Sequence, residues 1–166
     1  IAAYQLPQVL GEFSAAHPTV SVKIYDNSAM EIAQLVQSGA AEFGLTIVSP
    51  SVADLDIKVL AKEPFVLLCA KDHPLARRRF VNWSQLGSTP LIRISPQAGN
   101  RVLVDDALGR RREALNWRYE VQHLQTAVGM VLAHVGIAIV PQIAASAPGM
   151  AGLVALPLRN PAIHRT

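Results

Sequence analysis

Apolar positions along this 166-residue chain recur with two periods, and the two alternate. Residues 1–16 place Leu6, Val9, Leu10 and Phe13 on one face of a helix. Pro7 either kinks that helix or marks its first turn, and His17-Pro18 ends it, because a residue before proline is pushed out of helical geometry. "TVSVKIY" then alternates, with Val20, Val22 and Ile24 on one side, and predicts a strand. A helix over about 29–38 would bury Ile32, Leu35 and Val36 and stop at Gly39. "FGLTIV", residues 43–48, is almost wholly apolar, as a strand covered on both faces would be, so this region predicts a right-handed βαβ unit.

Beyond residue 56 the pattern predicts strands at about 57–61 and 64–70, with Pro64 opening the second. After a short helix near Ser84–Leu86 the alternation restarts. "PLIRIS" is a strand, 100–115 a helix, "WRYEV" a strand, 123–134 a helix, and "IAIVP" a strand; a short helix near 142–147 and the strand "LVALPL" follow. The same plan thus runs twice, before and after roughly residue 66, which predicts two α/β lobes.

Composition narrows the class. Hydrophobic content of 51% against 16% charged residues describes a folded chain. No apolar run approaches the roughly 20 residues of a membrane span, so no membrane partner is expected. The formal charge of +3 conceals an asymmetry. Residues 1–70 hold three Lys/Arg against seven Asp/Glu, whereas residues 71–118 hold ten against four. The clusters Arg77–Arg79 and Arg110–Arg112 lack the interleaved aromatic residues of a single-strand stacking platform and read as solvated surface. The lone Cys69 lies in "FVLLCA", where burial would raise its pKa; with no disulfide to form, it suits a reducing, cytoplasmic setting.

Nothing in the sequence organises catalysis: no nucleophile elbow, phosphate loop, dinucleotide fingerprint or zinc-protease motif is present. Cys69 and His73 have no second ligand pair nearby, so neither a metal nor a cofactor is expected. The expectation is a binding protein rather than an enzyme. Ligands of wound α/β sheets sit beyond the carboxyl ends of the strands, where helices begin. "YDNSAMEI" is such a seam: Asn27 and Ser28 precede a helix, and Ser28 with Glu31 has the form of a capping box. Both residues serve as caps in one reading and as ligand contacts in the other. "RISPQAGNRV" is a second seam, through Ser95, Gln97, Gly99 and Asn100. His123 opens a further helix as cap or contact, and Thr46 and Ile47 close the strand "FGLTIV". Polar seams on both lobes suggest a cleft for a small anion or amphipathic metabolite, and Arg101 could face the carboxylate of a small organic acid.

The segments "LPQVLGEFSAAHPTVSVKIYD", "LVQSGAAEFGLTIV", "KDHPLARRR", "WSQLGSTPLI" and "GIAIVP" occur in the order and spacing of one family. In these the chain resembles the effector-binding domain of LysR-type transcriptional regulators along essentially its whole length. The resemblance implies two Rossmann-like lobes of periplasmic-binding-protein type II architecture, joined by two crossover strands near Pro64–Leu68 and Val154–Leu158. Lobe I would comprise residues 1–66 plus 153–166 and lobe II residues 67–152, with a winged helix-turn-helix expected upstream. It also implies a small-molecule inducer between the lobes, contacted at Asn27–Ser28, Thr46–Ile47 and Ser95–Asn100. DNA bound through the upstream domain and a homodimer or homotetramer would be the partners. Glu42 stands where the family usually has aspartate, and His134 where it often has glycine. A periplasmic solute-binding protein of the same architecture is the alternative.

Overall fold

The computed structural model describes residues 6–47, 54–95, 99–146 and 149–166. Helices α1 (Leu6–Ala16) and α2 (Ala29–Gln37) form where period 3.6 puts them. Pro7 lies in the first turn of α1, where its missing N–H would have no partner in any case. At the other end His17 donates its N–H to Phe13 O at 2.8 Å and its ring packs on Phe13.

From residue 63 onward the chain builds one seven-stranded mixed sheet. Strands β1 (Glu63–Ala70), β2 (Val81–Asn82), β3 (Leu91–Ile94), β4 (Trp117–Val121), β5 (Ile137–Pro141) and β6 (Leu153–Arg159) lie in the order β2-β6-β1-β5-β3-β4, and β7 (His164–Arg165) pairs with the start of β1. β3, β4 and β5 run parallel, whereas β1 runs antiparallel to both β5 and β6. Helices α3 (Asn100–Leu108) and α4 (Leu124–Leu132) follow β3 and β4 and cover opposite faces. Short 3₁₀ turns fill the remaining connections at Pro74–Arg77, Trp83–Gln85, Gly109–Ala114 and Gln142–Ser146.

β1 explains the unbroken apolar run "FVLLC". Phe65, Leu67 and Cys69 point into a cluster with Leu91, Val104, Leu108, Ile137 and Leu156. Val66 and Leu68 point the opposite way, against Ile92, Ala127, Val131 and Val140. A strand buried on both faces has no solvent side on which to place polar residues. Cys69 is fully buried, and desolvation pushes its thiol up to about 11, so it is held protonated. Gly136 admits β5 to the sheet: Ile137 donates to Pro90 O at 3.0 Å, and a Cβ on Gly136 would stand 2.5 Å from that same oxygen.

Three expected strands do not form. Residues 19–25 and 57–61, and the described part of 43–48, are extended or irregular and pair with nothing among the described residues, so the predicted βαβ unit is absent there. Val20, Val22 and Ile24 are 46–51% exposed, and Val59 and Leu60 more so. Alternation states which face of a strand would be buried, but a strand is stabilised by pairing, and no partner strand lies beside these segments among the described residues.

Candidate functional site

Three helices begin at one edge of the structure, and the sequence reason differs for each. Ser28 caps α2: its hydroxyl accepts from Glu31 N at 3.4 Å and donates to Glu31 Oε2 at 2.6 Å, while its backbone N–H donates to the same carboxylate oxygen at 2.9 Å. These bonds hold the Glu31 carboxyl below its ordinary range, chiefly through the Ser28 hydroxyl. α3 begins after Gly99, whose φ of 71° suits a residue without a Cβ and which brings no capping side chain. α4 begins after His123, which holds cap geometry without a side-chain capping bond and stays exposed.

Two of these starts meet. A methyl group placed on Gly99 would stand 3.7 Å from Ile47 Cδ1 and 3.9 Å from Ala29 Cβ, in ordinary contact. The N-terminus of α2, the end of the segment 43–47 and the N-terminus of α3 therefore share one small region. Ser28, Thr46, Ile47, Gly99 and Asn100 are all half-buried in it, whereas Asn27 is exposed. Gln97, expected at this seam, lies outside the described residues.

Ser95 ends β3, buried, with its N–H donated to Val121 O at 2.8 Å. Together with Glu120, Val121 and Gln122 it lines an open pocket of about 390 Å³ beyond the carboxyl ends of β3 and β4, where His123 follows. The first turn of α3 links this pocket to the Gly99 contact: Arg101 Nη1 reaches Glu120 Oε2 at 2.9 Å, and Arg101 Nε reaches Asp105 Oδ2 at 3.0 Å. The sequence suggests a ligand carboxylate for Arg101, whereas the carboxylates it faces here, Asp105 and Glu120, belong to the protein. Arg93 Nε sits 3.0 Å from Glu120 Oε2 off the angle of a hydrogen bond, and Arg112 approaches Asp105 at 3.9 Å. Three guanidinium groups thus surround two carboxylates.

Two participants escaped the sequence reading. Asn100 Oδ1 accepts from Arg165 Nη1 at 3.0 Å, and Arg165 also holds Glu63, the first residue of β1. Period and spacing give no means of pairing residues 63, 100 and 165; the only signal was an acidic residue at the mouth of an otherwise apolar strand. Among the described residues no group of acidic, histidine or cysteine side chains could hold a metal, and no helix is long and apolar enough to cross a membrane.

Comparison with known proteins assigns the chain to a family. Residues 1–166 match the family described as LysR substrate binding domain. The chain is 33% identical over 163 residues, 98% of its length, to the HTH-type transcriptional regulator YbhD of Escherichia coli (strain K12), of which it spans 51%. It spans about half the length of the curated relatives it matches first. The regulatory domain of CcmR from Synechocystis PCC6803, solved in complex with 2-PG, superposes with a TM-score of 0.77 at 22% identity, over 96% of this chain and 79% of that one. The effector binding domain of QuiR, in complex with shikimate, gives 0.75 at 20% identity, over 98% and 79%. At such identities the likeness shows the fold, which is the periplasmic-binding-protein type II architecture expected from the sequence.

Proposed function

Because the chain belongs to the LysR substrate binding domain family, we propose that it is the effector-sensing part of a longer transcription regulator. A small metabolite would bind where the lobes meet, and its differential affinity for two lobe arrangements would shift their populations. An upstream helix-turn-helix would read DNA, and a homodimer or homotetramer in the cytoplasm would relay the shift. In this reading residues 1–66 with 153–166 form lobe I and 67–152 lobe II, with β1 and β6 as the crossovers.

The observation that carries the proposal is the proximity of Gly99 to Ile47 and Ala29, because it brings the start of α3 beside the start of α2 and the end of the segment 43–47. Asn27, Ser28, Thr46, Ile47, Ser95, Gln97, Gly99, Asn100 and His123 are the proposed contact set. A small organic acid suits the excess of guanidinium over carboxylate beside Ser95, and the two solved relatives carry 2-PG and shikimate. Relatives named as transcriptional regulators leave the transport-receptor alternative without support, and regulation rather than catalysis is the role carried by the family.

Titration with shikimate, 2-PG and a panel of small carboxylates, followed by backbone NMR, tests the reading. A binding acid should move the amides of Ser28, Ile47, Gly99 and Asn100 together. Ser28→Ala should weaken that binding by about 1 kcal/mol, the size of one hydrogen bond. Saturable shifts that spare all four residues would remove the site from this region.

A further inference from the structure

Arg165 has a side chain only 13% exposed, and its three side-chain bonds reach two partners. Its Nε donates to Glu63 Oε1 at 2.7 Å, and Nη2 meets the same oxygen. Its Nη1 donates to Asn100 Oδ1 at 3.0 Å. The other oxygen of Glu63 accepts the backbone N–H of Ile143 at 2.8 Å. One guanidinium therefore ties β7 to the first residue of β1, the first residue of α3 and, through Glu63, the 3₁₀ turn that follows β5.

A guanidinium has donors and no acceptor, so Asn100 must turn its oxygen toward Arg165 and its NH₂ away. Asn100 also adjoins Gly99, which lies close enough to Ile47 and Ala29 that an added methyl group would touch both. We propose that Arg165 is a positioning residue of the effector seam. It fixes the Asn100 carboxamide as a donor, suited to a ligand oxygen such as that of a carboxylate. It also carries any displacement of the α3 N-terminus to Glu63, and so to the crossover strand β1 and to Ile143. The use of this relay rests on the effector-binding reading, but its geometry does not.

Amide hydrogen exchange on the ligand-free protein tests it, with the Ile143 rate divided by that of Leu67, an amide in the middle of β1, to remove global destabilisation. Asn100→Ala deletes the oxygen held by Arg165 and should raise that ratio about fivefold, a coupling of ordinary size for residues in one network. Asn100→Asp keeps an acceptor for Arg165 and should restore the wild-type ratio, a rescue that a mere helix-start role would not give at a residue 43 positions away. Arg165→Lys, which replaces the fork by a single ammonium, should also raise the ratio and serves if Asn100→Ala does not fold. A ratio unchanged in these variants, or no rescue by aspartate, would overturn the relay. No effector is added, so that failure would leave the effector reading standing, and a failed effector titration would leave the relay standing.

Discussion

At the scale of single residues, His134 settles what its departure from the family pattern does. The residue has φ of 58°, in the left-handed region where glycine is at no disadvantage. Around it His134 N–H donates to Val131 O and Val135 N–H to Met130 O, both at 3.0 Å, which is the paired closure of a Schellman motif ending α4. The glycine common in the family at this place is thus a helix-stop glycine, and histidine occupies the same geometry under strain. Its Nδ1 lies 3.6 Å from Asp72 Oδ1, but both side chains are largely exposed, so the pair offsets little of that strain. His134→Gly should therefore stabilise the fold by about 1 kcal/mol, read as a higher urea midpoint at unchanged slope. A lower midpoint would mean that the Asp72 contact outweighs the backbone strain.

At the scale of elements, the sequence was most legible where an element's burial is decided by its own pattern. β1, β3 to β6, α2, α4 and the described part of α1 lie close to their predicted spans, because continuous apolar runs and helical faces report two-sided and one-sided burial directly. By contrast, α3 ends at Leu108, short of the predicted 115, and the chain continues as the 3₁₀ turn Gly109–Ala114. β2 and β7 were missed because two residues carry no period. The strands at 19–25, 43–48 and 57–61 were predicted and do not form among the described residues, because pairing depends on a neighbour that local pattern does not contain. The seam residues were legible as caps and turn formers, and Ser28, Gly99 and His123 do stand at helix starts. What the sequence withheld was the Arg165–Asn100–Glu63 connection, which only the folded sheet assembles. The contrast between formed and unformed strands has a direct measure. Leu67 is fully buried in β1, so Leu67→Ala should cost about 2–5 kcal/mol through lost transfer energy and the cavity left behind. Val22, 46% exposed and outside any sheet, should tolerate serine within about 0.5 kcal/mol. A loss above about 1 kcal/mol for Val22→Ser would show that this segment is paired in solution.

At the scale of the whole molecule, the two apolar clusters are built entirely from residues 65 to 163, and no residue of α1 or α2 enters either one. Ala33 is the buried residue of α2, and α1 has none. The cohesion of the structure therefore resides in the sheet, while the start of α2 lies beside the start of α3 where Ala29 and Ile47 approach Gly99. Such an arrangement suits a sensor, since the elements that move in a switch are drawn from the less stable end of a fold. It also predicts an uneven pattern of protection. Amides of Ile32 to Leu35 in α2 should exchange at least about tenfold faster than those of Val66 to Leu68 in β1, because opening α2 breaks few apolar contacts. If, as proposed, an acid binds between the helix starts and favours the arrangement in which they meet, saturation with it should slow α2 more than β1. If α2 and β1 instead exchange in step, with and without such an acid, the molecule opens as one cooperative unit. A shift between lobe arrangements would then have to take place without loosening either part.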